Sequence, residues 1–295
     1  MLINTDAFVL KSRKYNEADS LLSLFSRNMG KISAVAKGSR RAKSQMLAGI
    51  QPFCYSHFLL YQGRSMYTVN QVDALKTFYP LREDYRRLTY ASYLVELVEI
   101  EITEEQSHPQ LFNLFGKTLS LISKEESEIE TVIRSFELHY MTVCGYEPNL
   151  FSCGHCKKKE EKKWYFSLPQ GGLVCSQCRS REEETLLISD TCLKLARYLQ
   201  TKDIAEVQQL KIHPRLNEEL QRINKSYLLY HMGRYQFKSL KLLPQVDELI
   251  PMPSTGKNKH QQPGEDLASR RLTDEAKFDT FNKDDHTVFG DEQEE

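Results

Sequence analysis

No apolar stretch in this chain approaches the roughly 20 residues that a membrane-spanning helix needs. The opening, MLINTDAFVL, carries Asp6 and has no basic n-region, so it does not read as a secretory signal. Both absences predict a soluble, cytoplasmic protein without a membrane partner. Nucleotide motifs are missing too. Gly116-Lys117-Thr118 resembles the end of a phosphate-binding loop, but residue 111 is Leu where the first glycine belongs. No G-x-S-x-G, H-E-x-x-H or G-x-G-x-x-G is present, and the eight histidines show no metal-like spacing. The carboxylates are plentiful but scattered. Nothing in the sequence demands an enzyme.

Net charge is absent as well, because 40 Lys and Arg balance 40 Asp and Glu. The balance hides an asymmetry. Residues 1–87 carry an excess of 8 positive charges, and residues 251–295 an excess of 5 negative ones. A basic head in a neutral chain points to a polyanionic partner, with nucleic acid the first candidate.

Against these absences stands one dense motif, between Phe151 and Arg181. Cys153/Cys156 and Cys175/Cys178 form two Cys-x-x-Cys knuckles eighteen residues apart. Each knuckle can turn two thiolates toward one point, and two knuckles supply the sulfur tetrahedron that zinc accepts. Trp164-Tyr165-Phe166 and the turn Pro169-Gln170-Gly171-Gly172 lie between them. The reading is a zinc ribbon: two short strands, a tight turn and one structural zinc ion in place of a core. A catalytic zinc would need an open position. His155, inside the first knuckle, is an alternative ligand or simply exposed. The H-x-E and P-C-x-x-C pattern of the zinc deaminases is absent. A disulfide framework would leave one of seven cysteines over. Cys54, Cys144 and Cys192 lie in apolar surroundings and read as core.

Residues 1–79 read as all-β. Strands are predicted over Asp6–Arg13, Ser20–Arg27, Lys31–Lys37, Pro52–Tyr61 and Ser65–Leu75, separated by turn residues. In the fourth, Phe53, Tyr55, His57, Leu59 and Tyr61 share one face. Five short strands suit a closed barrel of the oligonucleotide-binding (OB) type. Between the third and fourth lies Lys37-Gly38-Ser39-Arg40-Arg41-Ala42-Lys43-Ser44. Mobile cations and accessible backbone N–H groups are what phosphates bind, so Lys37, Arg40, Arg41 and Lys43 are the candidate DNA contacts. A solvated turn has the same composition. Tyr55, Tyr61 and Tyr67 are candidate stacking platforms or, equally, packing residues.

From Leu81 the apolar period becomes helical: Leu81, Tyr85, Leu88, Ala91, Val95, Val98 and Ile102. A second helix is predicted near Pro109 and a third over about 126–144, stopped by Gly145. Arg179–Glu184 reads as a solvated loop. Helices resume after the N-cap Ser189 and after Pro214. The basic, aromatic stretch Tyr230–Lys241 reads as an amphipathic helix end, with an addition to a nucleic-acid surface as the alternative. The α+β organisation expected is an OB barrel (1–79), an α-helical domain (80–250) with the ribbon (151–181) inserted, and a disordered acidic tail (251–295).

With those parts in place the sequence resembles the bacterial RecO family of recombination mediators, over about residues 1–245. Its most specific matches are Gly30-Lys31-Ile32 through Gly38-Ser39-Arg40-Arg41, Gln51-Pro52-Phe53, Leu81-Arg82-Glu83-Asp84, Tyr93-Leu94-Val95-Glu96-Leu97 and the paired knuckles. Asn16 and Ser56 stand where relatives often have glycine, and the tail has no counterpart. The resemblance implies binding of single- and double-stranded DNA and annealing of complementary strands without ATP. It also implies action with RecR on DNA coated by single-stranded-DNA-binding protein (SSB), so that RecA is loaded, and a place in the nucleoid. Two other classes fit the residues. A zinc-ribbon adaptor would bind RNA or proteins of transcription or translation. A zinc-dependent nucleic-acid enzyme would need an open coordination position that four cysteines do not leave.

Overall fold

Alternation of apolar side chains, broken where a strand is buried on both faces, carries the N-terminal quarter of the chain into strands. The computed structural model describes residues 1–234 and 236–242; the acidic segment 251–295 lies outside them. Strands β1 (Leu2–Lys14), β2 (Ser20–Ser26), β3 (Gly30–Ala36), β4 (Tyr55–Gln62) and β5 (Tyr67–Lys76) close into a barrel in the order β1-β2-β3-β5-β4. All pairings are antiparallel except β3 with β5, where Ala34 faces Tyr67. One face of each strand fills the barrel. Ala7, Val9, Leu22, Leu24, Ile32, Ala34, Phe58 and Leu60 are buried there. In β4 the inward set is Ser56, Phe58 and Leu60, so Tyr55, His57, Leu59 and Tyr61 point outward. Ser56 is accommodated because its hydroxyl donates to the Gly49 carbonyl at 2.8 Å. The fourth strand begins at Tyr55 rather than Pro52. Phe53 takes a left-handed φ of 71° and its N–H donates to Val9 instead of continuing the ladder.

The chain then turns helical: α1 (Pro80–Glu83), α2 (Tyr85–Glu101), α3 (Pro109–Ile122) and α4 (Ile129–Val143). The helix expected from Leu81 onward is two, because the Asp84 carboxylate caps a new start, accepting the Arg87 N–H at 2.7 Å. Pro109 occupies the first turn of α3, where its missing N–H costs nothing. Gly145 ends α4 with φ +86°, a value that favours glycine.

Phe8, one residue out of phase with the barrel interior, faces the helices. Its ring lies 4.8 Å from Phe112, 5.2 Å from Phe115 and 4.9 Å from Tyr55, centroid to centroid. Gly116 lets α3 approach this closely, since a Cβ there would stand 2.6 Å from the Phe8 ring. Deeper in the helices α4 is buried nearly all round. Arg134 and Glu137 are both fully buried and pair at 3.1 Å. The Tyr93 hydroxyl (α2) and the Asn224 amide donate to the same carboxylate, at 2.9 and 3.0 Å.

After α4 come β6 (Trp164–Ser167), β7 (Gly172–Cys175) and β8 (Thr185–Ile188), in the order β7-β6-β8. A 3₁₀ turn (Arg179–Arg181) interrupts the stretch expected to be a loop, and the third strand, which the sequence did not announce, begins just beyond it at Thr185. Two helices, α5 (Asp190–Thr201) and α6 (Pro214–His231), complete the helical part. Ser189 caps α5, accepting the Cys192 N–H at 3.2 Å. Beyond α6 the basic, aromatic stretch does not continue as helix. It folds back, burying Phe237 against Tyr93 at 5.1 Å, and ends in a 3₁₀ turn (Ser239–Leu242).

Candidate metal centre and nucleic-acid interface

The two knuckles meet. Ligand atoms of Cys153, Cys156, Cys175 and Cys178 all lie within 4.8 Å of one another, and the Cys156 and Cys175 sulfurs are 3.7 Å apart. A tetrahedron with Zn–S bonds of about 2.3 Å has edges of about 3.8 Å, so the cage fits zinc. All seven cysteines are free thiols, which removes the disulfide reading. Local backbone forms the cage. Lys157 adopts φ 60° and returns its N–H to the Cys153 carbonyl at 3.0 Å, and the Cys178 N–H returns to Cys175 at 3.1 Å.

The sulfurs are electrostatically unequal. Burial disfavours a charged Cys153, but backbone N–H groups of Cys156, Cys175 and His155 outweigh it and hold this thiol down to about 6. Cys178 is pushed up to about 12 by burial, then by its three sulfur neighbours. Cys153 is therefore ready as a thiolate at neutral pH, whereas Cys178 gives up its proton only with a cation beside it.

His155 is not a member of the cage. Its ring pairs with Glu182 at 2.5 Å, and Glu182 also accepts from Ser167. The ribbon does have a core, in contrast to the metal-only expectation. Trp164, Phe166, Leu173 and Val174 are buried among the helices, with Phe166 edge-on to Tyr227 at 5.2 Å.

The basic loop leaves the end of β3. Lys37, Arg40, Arg41 and Lys43 are all exposed, whereas Ser39 is fully buried. Three contacts hold the loop to the β1–β2 turn. The Gly38 N–H donates to Asp19 at 2.8 Å, the Arg40 N–H to the Ala18 carbonyl at 2.9 Å, and the Ser39 hydroxyl to Ser20 at 2.9 Å. Gly38 needs its φ of +68° to make the turn. The Asp19 carboxyl is held below its ordinary range, chiefly by the Gly38 N–H and then by Asn16. Sequence reasoning missed Asp19, although an acid three residues after Asn16 in a turn is an anchoring signal.

A cleft of about 700 Å³ opens beside this loop, between the outer faces of β1–β3 and helix α2. Lys11, Arg13, Lys31, Arg234 and Lys238 line it, against Glu96 and Glu99. Arg13 faces Leu21 in the β1–β2 ladder, close to the loop's anchors. Lys11 pairs with Glu99, and Glu96 is occupied by the backbone N–H groups of Lys238 and Ser239 at 3.1 and 3.2 Å. Glu96 and Glu99 of α2 thus join this helix to its neighbours.

The aromatic candidates separate. Tyr55 packs into the barrel–helix junction and hydrogen-bonds Asp6 at 3.4 Å. Tyr67 packs against the barrel core. Tyr61 is exposed but pairs with Leu2, at the opposite end of β1 from the loop. Of the three, only Tyr67 shares a pocket with one of these cations, Lys31.

No helix among the described residues is long and apolar enough to cross a membrane. A family model described as recombination protein O N terminal matches residues 1–78, and one described as recombination protein O C terminal matches residues 82–241. The chain is 48% identical over 246 residues to the DNA repair protein RecO of Alkaliphilus metalliredigens, covering 83% of this chain and 100% of the relative. Against the DNA repair protein RecO of Acetivibrio thermocellus it is 35% identical over 247 residues, covering 84% and 98%. Against that of Oceanobacillus iheyensis it is 30% identical over 263 residues, covering 88% and 100%.

Proposed function

The chain belongs to the RecO family of DNA repair proteins, and on that premise we propose that it is a recombination mediator working without covalent chemistry. It binds single- and double-stranded DNA, anneals complementary strands without ATP, and with RecR helps RecA load onto SSB-coated single strands. The observation that carries this reading is the pinned basic loop. Lys37, Arg40, Arg41 and Lys43 are free of ion pairs among the described residues, while the backbone beneath them is fixed to Asp19, Ala18 and Ser20. Cations held in place, with their charges unspent, suit a row of phosphates.

The path we propose for the strand runs from the loop over Arg13 into the cleft, where Lys31 and Lys238 continue the positive lining and Arg234 stands paired with Glu96 at 3.6 Å. Neutralising phosphates lets two strands approach, and base stacking, about 1.4 kcal/mol per step, supplies the free energy of annealing. Residues 1–79 would act as the nucleic-acid-binding unit, and residues 80–250 as the helical unit that carries the partner surfaces. Cys153, Cys156, Cys175 and Cys178 would hold one structural zinc ion. Zinc there fastens the ribbon strands and, with all four positions taken by sulfur, offers no site for substrate.

Competition between single-stranded DNA and RNA of the same sequence tests this reading against an adaptor of transcription or translation. A mediator binds the DNA at least as tightly and loses affinity steeply with salt. Clear preference for RNA would favour the adaptor.

A further inference from the structure

Glu101, His108 and Cys144 come from three places in the chain: the last turn of α2, the residue before α3 and the residue after α4. The fold brings them together. One carboxylate oxygen, one imidazole nitrogen and the Cys144 sulfur lie within 4.8 Å of one another, and all three residues are half-buried. The group lies outside the four-cysteine cage and shares no residue with it.

Three further features of this corner favour a cation. Helices α2 and α4 both end here, so two sets of partly negative carbonyl ends converge, and neither helix has a basic residue in its last turn. His108 sits at an N-cap, where Ser, Thr, Asp and Asn are preferred, and accepts the Leu111 N–H only at 3.4 Å. That bond is weak enough to give up. The Tyr146 hydroxyl is buried beside Cys144 and Glu101, and makes no hydrogen bond of normal geometry there.

We propose that Glu101, His108 and Cys144 form a second metal site that takes a divalent transition ion, zinc first. A sulfur, a nitrogen and an oxygen donor together suit a borderline-soft ion, whereas magnesium and calcium take oxygen donors. Three protein ligands leave one position for water. On binding, the ion sheds water, the Cys144 thiol releases its proton to solvent, and no electron changes hands. The 102–108 segment that carries His108 is tied to the barrel, since the Lys31 N–H donates to the Thr103 carbonyl at 3.0 Å. An ion here would therefore clamp the ends of α2, α3 and α4 next to the β2–β3 turn.

The test is the zinc content of the full-length protein at a series of buffered free-zinc concentrations, read by elemental analysis, with cobalt absorption as a second signal. The wild type should take up a second equivalent, weaker than the one in the four-cysteine cage. Cys144→Ala and His108→Ala should each lose that equivalent and the single-thiolate cobalt band, while keeping the first. Glu101→Gln, a milder change, should weaken the second site by about tenfold or more if either of those variants folds poorly. Saturation of the wild type at one equivalent, or a second equivalent that survives both Cys144→Ala and His108→Ala, overturns the proposal. Cys175→Ser separates the two sites: it should abolish the tight equivalent and leave the weak one.

Discussion

The Asp19 carboxylate accepts the backbone N–H of Gly38 at 2.8 Å, and through that bond the β1–β2 turn sets the position of the basic loop. The acid is half-buried, and its pKa is lowered because the charged form is the one that Gly38 and Asn16 hydrogen-bond. A depressed carboxyl pKa stabilises the fold above the unfolded value and withdraws that contribution as pH falls through the folded value. The Gly38 amide resonance should therefore titrate with a midpoint below that of an unperturbed aspartate. Asp19→Ala should speed Gly38 hydrogen exchange at neutral pH while leaving the exchange of barrel amides such as Phe58 unchanged. An unchanged Gly38 rate would mean that the loop is held by Arg40 and Ser39 alone.

Arg40→Ala with Arg41→Ala should weaken DNA binding and flatten its salt dependence. Each phosphate contact contributes a slope of about −0.7 on single strands, so the double variant should lose up to about 1.4 in log–log slope. The melting curve should hardly move, because both side chains are exposed and unpaired among the described residues. Weaker binding at an unaltered slope would remove the loop from the phosphate path.

Cys175→Ser should release the cage zinc and lower the melting temperature together. Cys175 is buried and pairs with Trp164 in the β6–β7 ladder, so the loss should spread from the ribbon into its helical surroundings. Zinc-free protein with an unaltered melting curve would separate the metal from folding.

Glu137→Ala should cost about 3–5 kcal/mol, because it leaves the fully buried Arg134 without its carboxylate. Adding Arg134→Met should recover part of that loss, as a buried charge is removed rather than created. Denaturant melts of the single and double variants decide this. A double variant less stable than Glu137→Ala alone would show that Arg134 is held by something other than the pair.

Where local chemistry decides structure, the sequence was readable. Alternation and turn residues located all five barrel strands, and Cys-x-x-Cys spacing located the cage, because two thiols three positions apart in one turn already point together. Long-range packing hid the rest. Thr185–Ile188 is too short to read as a strand and becomes one only by pairing with Trp164–Ser167. Arg134 and Glu137 look like solvated residues on a polar face, yet α4 is enclosed on that side by Tyr93 and Asn224. Tyr55 alternates like a stacking platform, but Phe8 and Phe112 claim its ring. Glu101, His108 and Cys144 have no spacing pattern at all, since three helix ends bring them together.

The central claim, a mediator that works by screening charge, is tested most directly by annealing two complementary oligonucleotides, each coated with SSB, followed by fluorescence without ATP. The account predicts acceleration that saturates with protein, fades with salt and falls sharply when Arg40 and Arg41 are replaced. No acceleration at concentrations where the protein demonstrably binds the coated strands would contradict it.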